Sequence, residues 1–141
     1  MLNDLKLFDI LEMNGAEAFA SKHQYRMIKS GKITRVNSSP NRIEFGGEKF
    51  IGSFIYDNDK LKSIILIPVI GGIEIPNFPS EEYQDTKKEH CVHILKKIYG
   101  ENYEIIENGV RWETPMYDIG TYVVNGGKDK YSGGNIWINM R

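Results

Sequence analysis

The sequence predicts one α+β domain in which a predominantly antiparallel sheet of hairpins packs against one long helix. A helical pattern runs from about residue 81 to 99, and short runs rich in β-branched and aromatic residues lie on both sides of it. Turn residues such as Asn-Gly separate those runs, which is typical of hairpins. The length of 141 residues fits a single domain over 1–141, or two pseudo-halves, 1–75 and 76–141, sharing a core.

Composition narrows the class of protein. Apolar residues make up 40% and charged residues 26%, a balance typical of globular chains. The net charge is -1, with 18 basic and 19 acidic side chains, so the surplus of positive charge that attracts nucleic acid is missing. Cys91 is the only cysteine, which excludes an internal disulfide and favours a reducing compartment.

Neither the N-terminal residues nor the longest apolar run suggests export or membrane insertion. Charged residues interrupt the apolar ones throughout the first twelve positions, unlike the apolar region of a signal peptide. The longest apolar run, Ile64–Ile70, contains Pro68 and is far shorter than the ~20 residues that a membrane helix needs. We therefore expect a cytoplasmic chain that does not act at a membrane.

The long helix has clear start and stop signals. Ser80 is a suitable N-cap, because its hydroxyl can accept a hydrogen bond from a free backbone N–H. Gly100 can adopt the left-handed conformation that commonly ends a helix. The apolar residues fall near one face: Tyr83, Cys91, Ile94, Leu95 and Ile98. We expect this face to pack on the sheet.

The elements before this helix are predicted from pattern and turn residues. Small apolar residues favour a short N-terminal helix over Gly15–His23. A hairpin is predicted from Lys32–Val36 and Arg42–Phe45, and a second from Lys49–Tyr56 and Leu61–Val69. Leucines between residues 2 and 11 have partly helical spacing.

Four strands are predicted after the helix. Tyr103–Glu107 and Val110–Thr114 flank Asn108-Gly109, whose residues tolerate the positive φ of a type I′ turn. Asp118–Val124 and Asn135–Met140 alternate in polarity and give the last two strands.

The chain thus reads as a helix followed by strands, twice over. That organisation is similar to the tandem helix-plus-meander plan of β-lactamase-inhibitor-like proteins. The resemblance concerns the plan alone, since no motif is shared, and it assigns no residues. It is the alternative to a single sheet with one dominant helix.

The residues that could carry catalysis or bind metal are few. The only histidines are His23, His90 and His93, and no Gly-x-Ser-x-Gly nucleophile motif is present. Cys91 lies on the apolar face of the helix and is interpreted as an inert core residue. Glu89 and His93 share a helix face, but two ligands do not complete a zinc site. We expect no catalytic residue, no metal and no cofactor.

Glycine pairs recur along the chain, most densely in the loop over residues 125–134. In that loop Gly127-Lys128 is followed by Asp129 and then by a strand, which does not fit a phosphate-binding loop. The glycines are better explained by turns and bulges. A small-molecule or enzymatic site near this loop is the alternative functional hypothesis.

The last strand offers the one candidate interaction surface. Period-two alternation places Trp137 with Asn135 and Asn139, opposite the aliphatic residues of the strand. The same rule brings Tyr122 and Arg111 to this outer face. Trp, Tyr and Arg are enriched where proteins bind one another.

Three outcomes are open for this outer face. It could be covered by the N-terminal segment, which would make Trp137 part of a second core layer, it could be exposed to a partner, or it could form a ligand cleft. The leading hypothesis is a non-enzymatic protein that binds another protein, as an inhibitor or immunity-type antidote does. A homodimer is a further expectation, since an open edge strand could pair between chains.

Overall fold

The computed structural model describes residues 15–70, 81–123 and 133–141, without the side chains of residues 81–83. Within these ranges the chain forms two helices and nine strands. The helices are α1 (Ala16–His23) and α2 (Glu81–Tyr99). The strands are β1 (Arg26–Ser30), β2 (Ile33–Asn37), β3 (Ile43–Phe45), β4 (Glu48–Asp57), β5 (Lys60–Pro68), β6 (Glu104–Ile106), β7 (Gly109–Glu113), β8 (Tyr117–Tyr122) and β9 (Ile136–Met140).

All nine strands belong to one antiparallel sheet. Its order is β1-β2-β4-β5-β9-β8-β7-β6, and β3 pairs with the beginning of β4. The strands that follow α1 therefore form one side of the sheet, and those that follow α2 form the other. The two sides join where β5 pairs with β9. The α+β class and the helix-then-strands order, twice along the chain, are confirmed.

Most predicted elements are present. The long helix occupies Glu81–Tyr99 as predicted, the short helix is α1, and β6 and β7 form a hairpin. The turn predicted at Asn108-Gly109 is wrong by one residue, because Ile106 pairs with Gly109 and the turn consists of Glu107 and Asn108. The central hairpin is β4–β5. The leucine pattern before residue 15 lies outside the described residues.

The first predicted hairpin is wrong, because β2 and β3 do not pair with each other. β2 lies between β1 and β4, and β3 pairs with β4 instead. Gly46 and Gly47, with φ of 61° and 81°, supply a two-residue turn between β3 and β4. Such a turn closes a hairpin more readily than the five-residue connection after β2. Strand β1 was not predicted.

Both helices pack on the same face of the sheet. From α1, Phe19 meets Phe54 of β4 with ring centroids 4.7 Å apart. From α2, Ile94 approaches Gly46 so closely that a Cβ on the glycine would lie 2.6 Å from the Ile94 side chain. One row of core side chains crosses six paired strands: Trp112, Ile119, Ile138, Ile64, Phe54 and Val36. This face holds the hydrophobic core.

In the part of the chain that the structure describes, neither helix has the length and apolar content required to cross a membrane.

Candidate functional site

The face of the sheet opposite the two helices carries the candidate site, and we call it the open face. Strand register places one row of residues side by side across it: Ser53, Ile65, Trp137, Gly120 and Arg111. Because side chains alternate along each strand, these positions point away from the core row. The outer position predicted for Trp137 and Arg111 agrees with this register.

Two aromatic residues of the open face each lie beside a glycine of the neighbouring strand. Trp137 pairs with Gly120, and Tyr122 pairs with Gly109. A Cβ built on Gly120 would lie 2.8 Å from Cζ2 of Trp137, and one on Gly109 would lie 2.7 Å from Cβ of Tyr122. The nearest atoms to both added Cβ positions are backbone carbonyl oxygens of the neighbouring strand, at 2.3 Å for Gly120 and 2.0 Å for Gly109. Both positions therefore require glycine, and each glycine lies beside an aromatic side chain.

A depression of about 810 Å³ lies on the open face. Ile65 and Ile106 contribute aliphatic surface to its lining, and Tyr122 and Trp137 contribute aromatic surface. Polar groups also line it: Ser63, Glu107, Asn108, Arg111 and Asn139. An apolar centre with polar groups around it is the usual anatomy of a protein-binding patch.

The two aromatic rings of this depression are close but not stacked. Their centroids are 6.4 Å apart with an interplanar angle of 57°. Tyr122 is 42% exposed, and Trp137 is partly buried. The indole Nε1 of Trp137 is buried and has no hydrogen-bond partner among the described residues. The rings therefore offer mainly apolar surface.

Arg111 lies beside the depression but is held by carboxylates of its own sheet. Its Nη2 donates to Glu104 and lies 3.3 Å from Oε1 of Glu113. The hydrogen bond that Arg111 donates to Glu104, together with the charges of Glu104, Glu113 and Asp118, raises the pKa of Arg111. The guanidinium is thus permanently charged and already neutralised, which leaves it less available to a partner than the sequence suggested.

A second arginine extends this ion-pair network. Arg141 pairs with Asp118 through Nη2, and the same nitrogen lies 3.6 Å from Oε2 of Glu113. Exposed ion pairs of this kind stabilise a fold only slightly, but they fix where charge is placed on a surface.

The two predicted asparagines have different positions. Asn139 is exposed on the open face and lines the depression. Asn135 does not join it: the residue is only 8% exposed, and its Oδ1 accepts a hydrogen bond from Nζ of Lys87 at 3.0 Å. The prediction for Asn135 fails because β9 begins at Ile136 and Gly134 has φ of 80°, so strand alternation does not extend back to it.

The glycine-rich loop of the alternative hypothesis falls largely on residues 124–132, outside the described residues. Its described end packs tightly on α2. A Cβ on Gly134 would lie 2.4 Å from the carbonyl oxygen of Gln84, and Sγ of Cys91 donates to the carbonyl of Gly134 at 3.4 Å. These residues therefore anchor the beginning of β9 to the helix.

The contact between the beginning of β9 and α2 contains buried polar side chains. Burial raises the pKa of Cys91 to about 12, so the thiol stays protonated and is a poor nucleophile. Burial also lowers the pKa of Lys87, which the sequence analysis had not singled out. Within 15–70, 81–123 and 133–141, no group of three or more His, Cys, Asp or Glu side chains could hold a metal ion.

Comparisons with family models, with curated proteins and with solved structures find no match for this chain. The candidate site is therefore argued from its geometry alone. The sequence analysis placed its aromatic residues on this face, assigned Gly109 to a turn and did not consider Gly120, although glycine inside a strand pattern often marks a close approach.

Proposed function

We propose that this chain acts by binding another protein through the depression on the open face, as an inhibitor or antidote binds its target. The observation that carries the proposal is the pair of aromatic side chains, Tyr122 and Trp137, set beside two glycines on the face that both described helices leave uncovered.

The residue types support a binding role. Tyrosine and tryptophan provide large contact areas at little cost in side-chain entropy, and truncating one at the centre of an interface typically costs about 2 kcal/mol or more. Asn139 and Ser63 flank the rings and can donate or accept hydrogen bonds at the edge of a contact. The partner would thus meet an apolar centre and a polar rim.

The two tryptophans of the chain differ in a way that favours this proposal. Trp112 is a core residue, and its indole N–H donates to the carbonyl of Gly100 at 3.0 Å. A buried tryptophan normally has such a partner. For Trp137 there is none in the described ranges, and the residue is only partly buried, so part of its ring surface is available to a partner.

The proposal is tested by capture from lysate of the source cells with matched variants. Wild type, Trp137→Ala and Tyr122→Ala are immobilised beside Ile105→Ala, which removes an 80% exposed apolar side chain from edge strand β6. We expect one protein to be retained by wild type and by Ile105→Ala and lost with both open-face variants. Thermal melting of each variant shows that it is folded.

The captured protein is then purified and titrated against the same variants by calorimetry. A loss of affinity of at least about tenfold for Trp137→Ala is expected for a central aromatic anchor. Equal affinity for all four proteins, or the absence of any protein retained by wild type, would count against the proposal.

A further inference from the structure

We infer that the partner inserts an arginine side chain into the depression, where its guanidinium lies against the Tyr122 and Trp137 rings and pairs with Glu107. This inference rests on the proposed function and adds the chemistry of the bound group. It follows from the charges around the depression and from the shape of its lining.

The charges that the described residues place around the depression do not balance. Four carboxylates belong to this end of the open face: Glu104, Glu107, Glu113 and Asp118. Two guanidinium groups, those of Arg111 and Arg141, share the same region. The carboxylates are therefore in excess, and a partner with positive charge at this position gains while one with negative charge is repelled.

The excess negative charge has a definite position. Glu104, Glu113 and Asp118 all form ion pairs with the two arginines. Glu107 is exposed, lines the depression, and has no ion-pair partner in the part of the chain that the structure describes. A cation bound in the depression would therefore meet Glu107 as its available counter-charge.

Strand register sets the spatial order of these groups. Glu107 lies in the turn between β6 and β7, directly before Asn108, which has φ of 62°. Gly109 follows and pairs with Tyr122, and the carbonyl of Asn108 accepts a hydrogen bond from the backbone N–H of Val123 at 3.0 Å. The turn is thus tied to the end of β8, and Glu107 lines the same depression as Tyr122 and Trp137.

Arginine fits this lining better than lysine. A guanidinium is planar and weakly hydrated, so it can stack on an aromatic ring while it donates two hydrogen bonds to a carboxylate. A lysine ammonium is a compact and strongly hydrated charge that gains less from flat aromatic walls. The same face already holds Arg111 and Arg141 between carboxylates, which demonstrates the pairing chemistry that a third guanidinium would repeat.

The test uses the two indole N–H signals of the chain in a ¹⁵N-correlated NMR spectrum, assigned with a Trp112→Phe variant. The probe is the capped peptide acetyl-Gly-Arg-Gly-amide. Its counterparts carry citrulline, which has nearly the same shape without charge, or lysine at the central position. We expect the arginine peptide to shift the Trp137 signal in a saturable manner and to leave the Trp112 signal in place. Citrulline should shift it much less, and lysine should fall between the two.

Glu107→Gln supplies the decisive variant, since it removes charge from an exposed turn without removing bulk. It should weaken binding of the arginine peptide about fivefold, the effect of losing an exposed charge-assisted pair. The matched control is Glu101→Gln, which removes an exposed carboxylate that pairs with Lys96 of α2 at 3.7 Å. Glu101→Gln should leave the affinity unchanged.

Three results would overturn the inference: no shift of the Trp137 signal, equal shifts from the arginine and citrulline peptides, or binding that Glu107→Gln does not weaken. None of these results contradicts the proposed function if partner capture still depends on Trp137 and Tyr122. If instead both open-face variants capture the partner as well as wild type does, while the peptide binds as expected, the proposed function is wrong and the arginine site is retained.

Discussion

Trp112 of β7 donates its indole N–H to the carbonyl oxygen of Gly100, the residue that directly follows α2, at 3.0 Å. This bond joins the C-terminal end of the helix to the sheet across the core face. The other tryptophan, Trp137, lies on the opposite face with its indole nitrogen buried and unpartnered within the described residues. The two tryptophans thus have different energetic roles in one sheet.

Replacement of each tryptophan by phenylalanine should separate these roles. Trp112→Phe removes the donor from the Gly100 carbonyl and should lower the free energy of unfolding by about 1–3 kcal/mol, measured by urea denaturation. Trp137→Phe removes no hydrogen bond and keeps an aromatic ring beside Gly120, so its effect should be smaller. Equal losses for the two variants would show that the Gly100 bond does not matter to stability.

The glycines of the open face should tolerate substitution poorly. A Cβ on Gly120 would lie 2.3 Å from the carbonyl oxygen of Val110 and 2.8 Å from the Trp137 ring. Gly120→Ala should therefore destabilise the fold by about 1–3 kcal/mol, as other overpacked sites do. The closer contact is with backbone, which cannot move aside as a side chain can.

A double variant tests which contact decides. In a Trp137→Ala background the ring is gone but the Val110 carbonyl remains, so Gly120→Ala should still cost most of its single-variant effect in urea denaturation. A double variant in which Gly120→Ala costs nothing would assign the strain to the ring instead.

The sequence predicted those parts of the fold that local chemistry determines. The end of α2 at Tyr99 follows from Gly100, which has φ of 87°, whereas the predicted N-cap Ser80 lies outside the described residues. The existence of the β6–β7 hairpin follows from its turn residue Asn108, which has φ of 62°. Strand β1, Arg26–Ser30, was not predictable in this way. All five of its residues are exposed, so it has none of the alternation that marks a half-buried strand.

Strand partners and the details of the site depend on tertiary structure. The ten residues of β4 pair with β3 at one end and with β2 further along, and no local pattern distinguishes these partners. Alternation correctly placed Trp137, Tyr122 and Arg111 on one face. It could not show that Arg111 is neutralised by Glu104, because that contact joins two strands whose side chains must be seen together.

Lys87 should make the stability of the fold rise with pH in the alkaline range. Burial lowers its pKa below the ordinary 10.5, so the folded state releases this proton at a lower pH than the unfolded chain. Between the two pKa values the unfolded state binds more protons, and the free energy of unfolding rises with pH. Below the folded-state pKa the full penalty for burying the charge remains.

Comparison with Lys87→Met isolates this contribution. Wild type should gain stability relative to the variant as pH rises towards 10.5, measured by urea denaturation at a series of pH values. Cys91 acts in the opposite sense, because burial raises its pKa from 9.0 to about 12. Since the charge of Lys87 lowers the Cys91 pKa in wild type alone, both proteins are compared in a Cys91→Ala background. A difference that does not change with pH would mean that Lys87 titrates normally.

Asp59, in the turn between β4 and β5, should act as the cap of α1, which lies 43 positions earlier in the chain. Its Oδ1 accepts a hydrogen bond from the backbone N–H of Ala16 at 2.9 Å, and the carboxylate fits there because Gly15 has no Cβ. Asp59→Ala should cost about 1 kcal/mol for the lost cap, in addition to the strain of alanine at φ of 66°. Asn58→Ala is the matched control, since Asn58 has φ of 49° in the same turn and does not cap the helix. Because both variants share the left-handed strain, the difference between their unfolding free energies measures the cap.

Two further measurements test the cap. Asp59→Asn keeps an acceptor oxygen and should therefore retain much of the stability that the cap provides. Faster hydrogen exchange in α1 should accompany Asp59→Ala alone. If Asp59→Ala costs no more than Asn58→Ala, the carboxylate does not stabilise the helix and the contact with Ala16 is incidental.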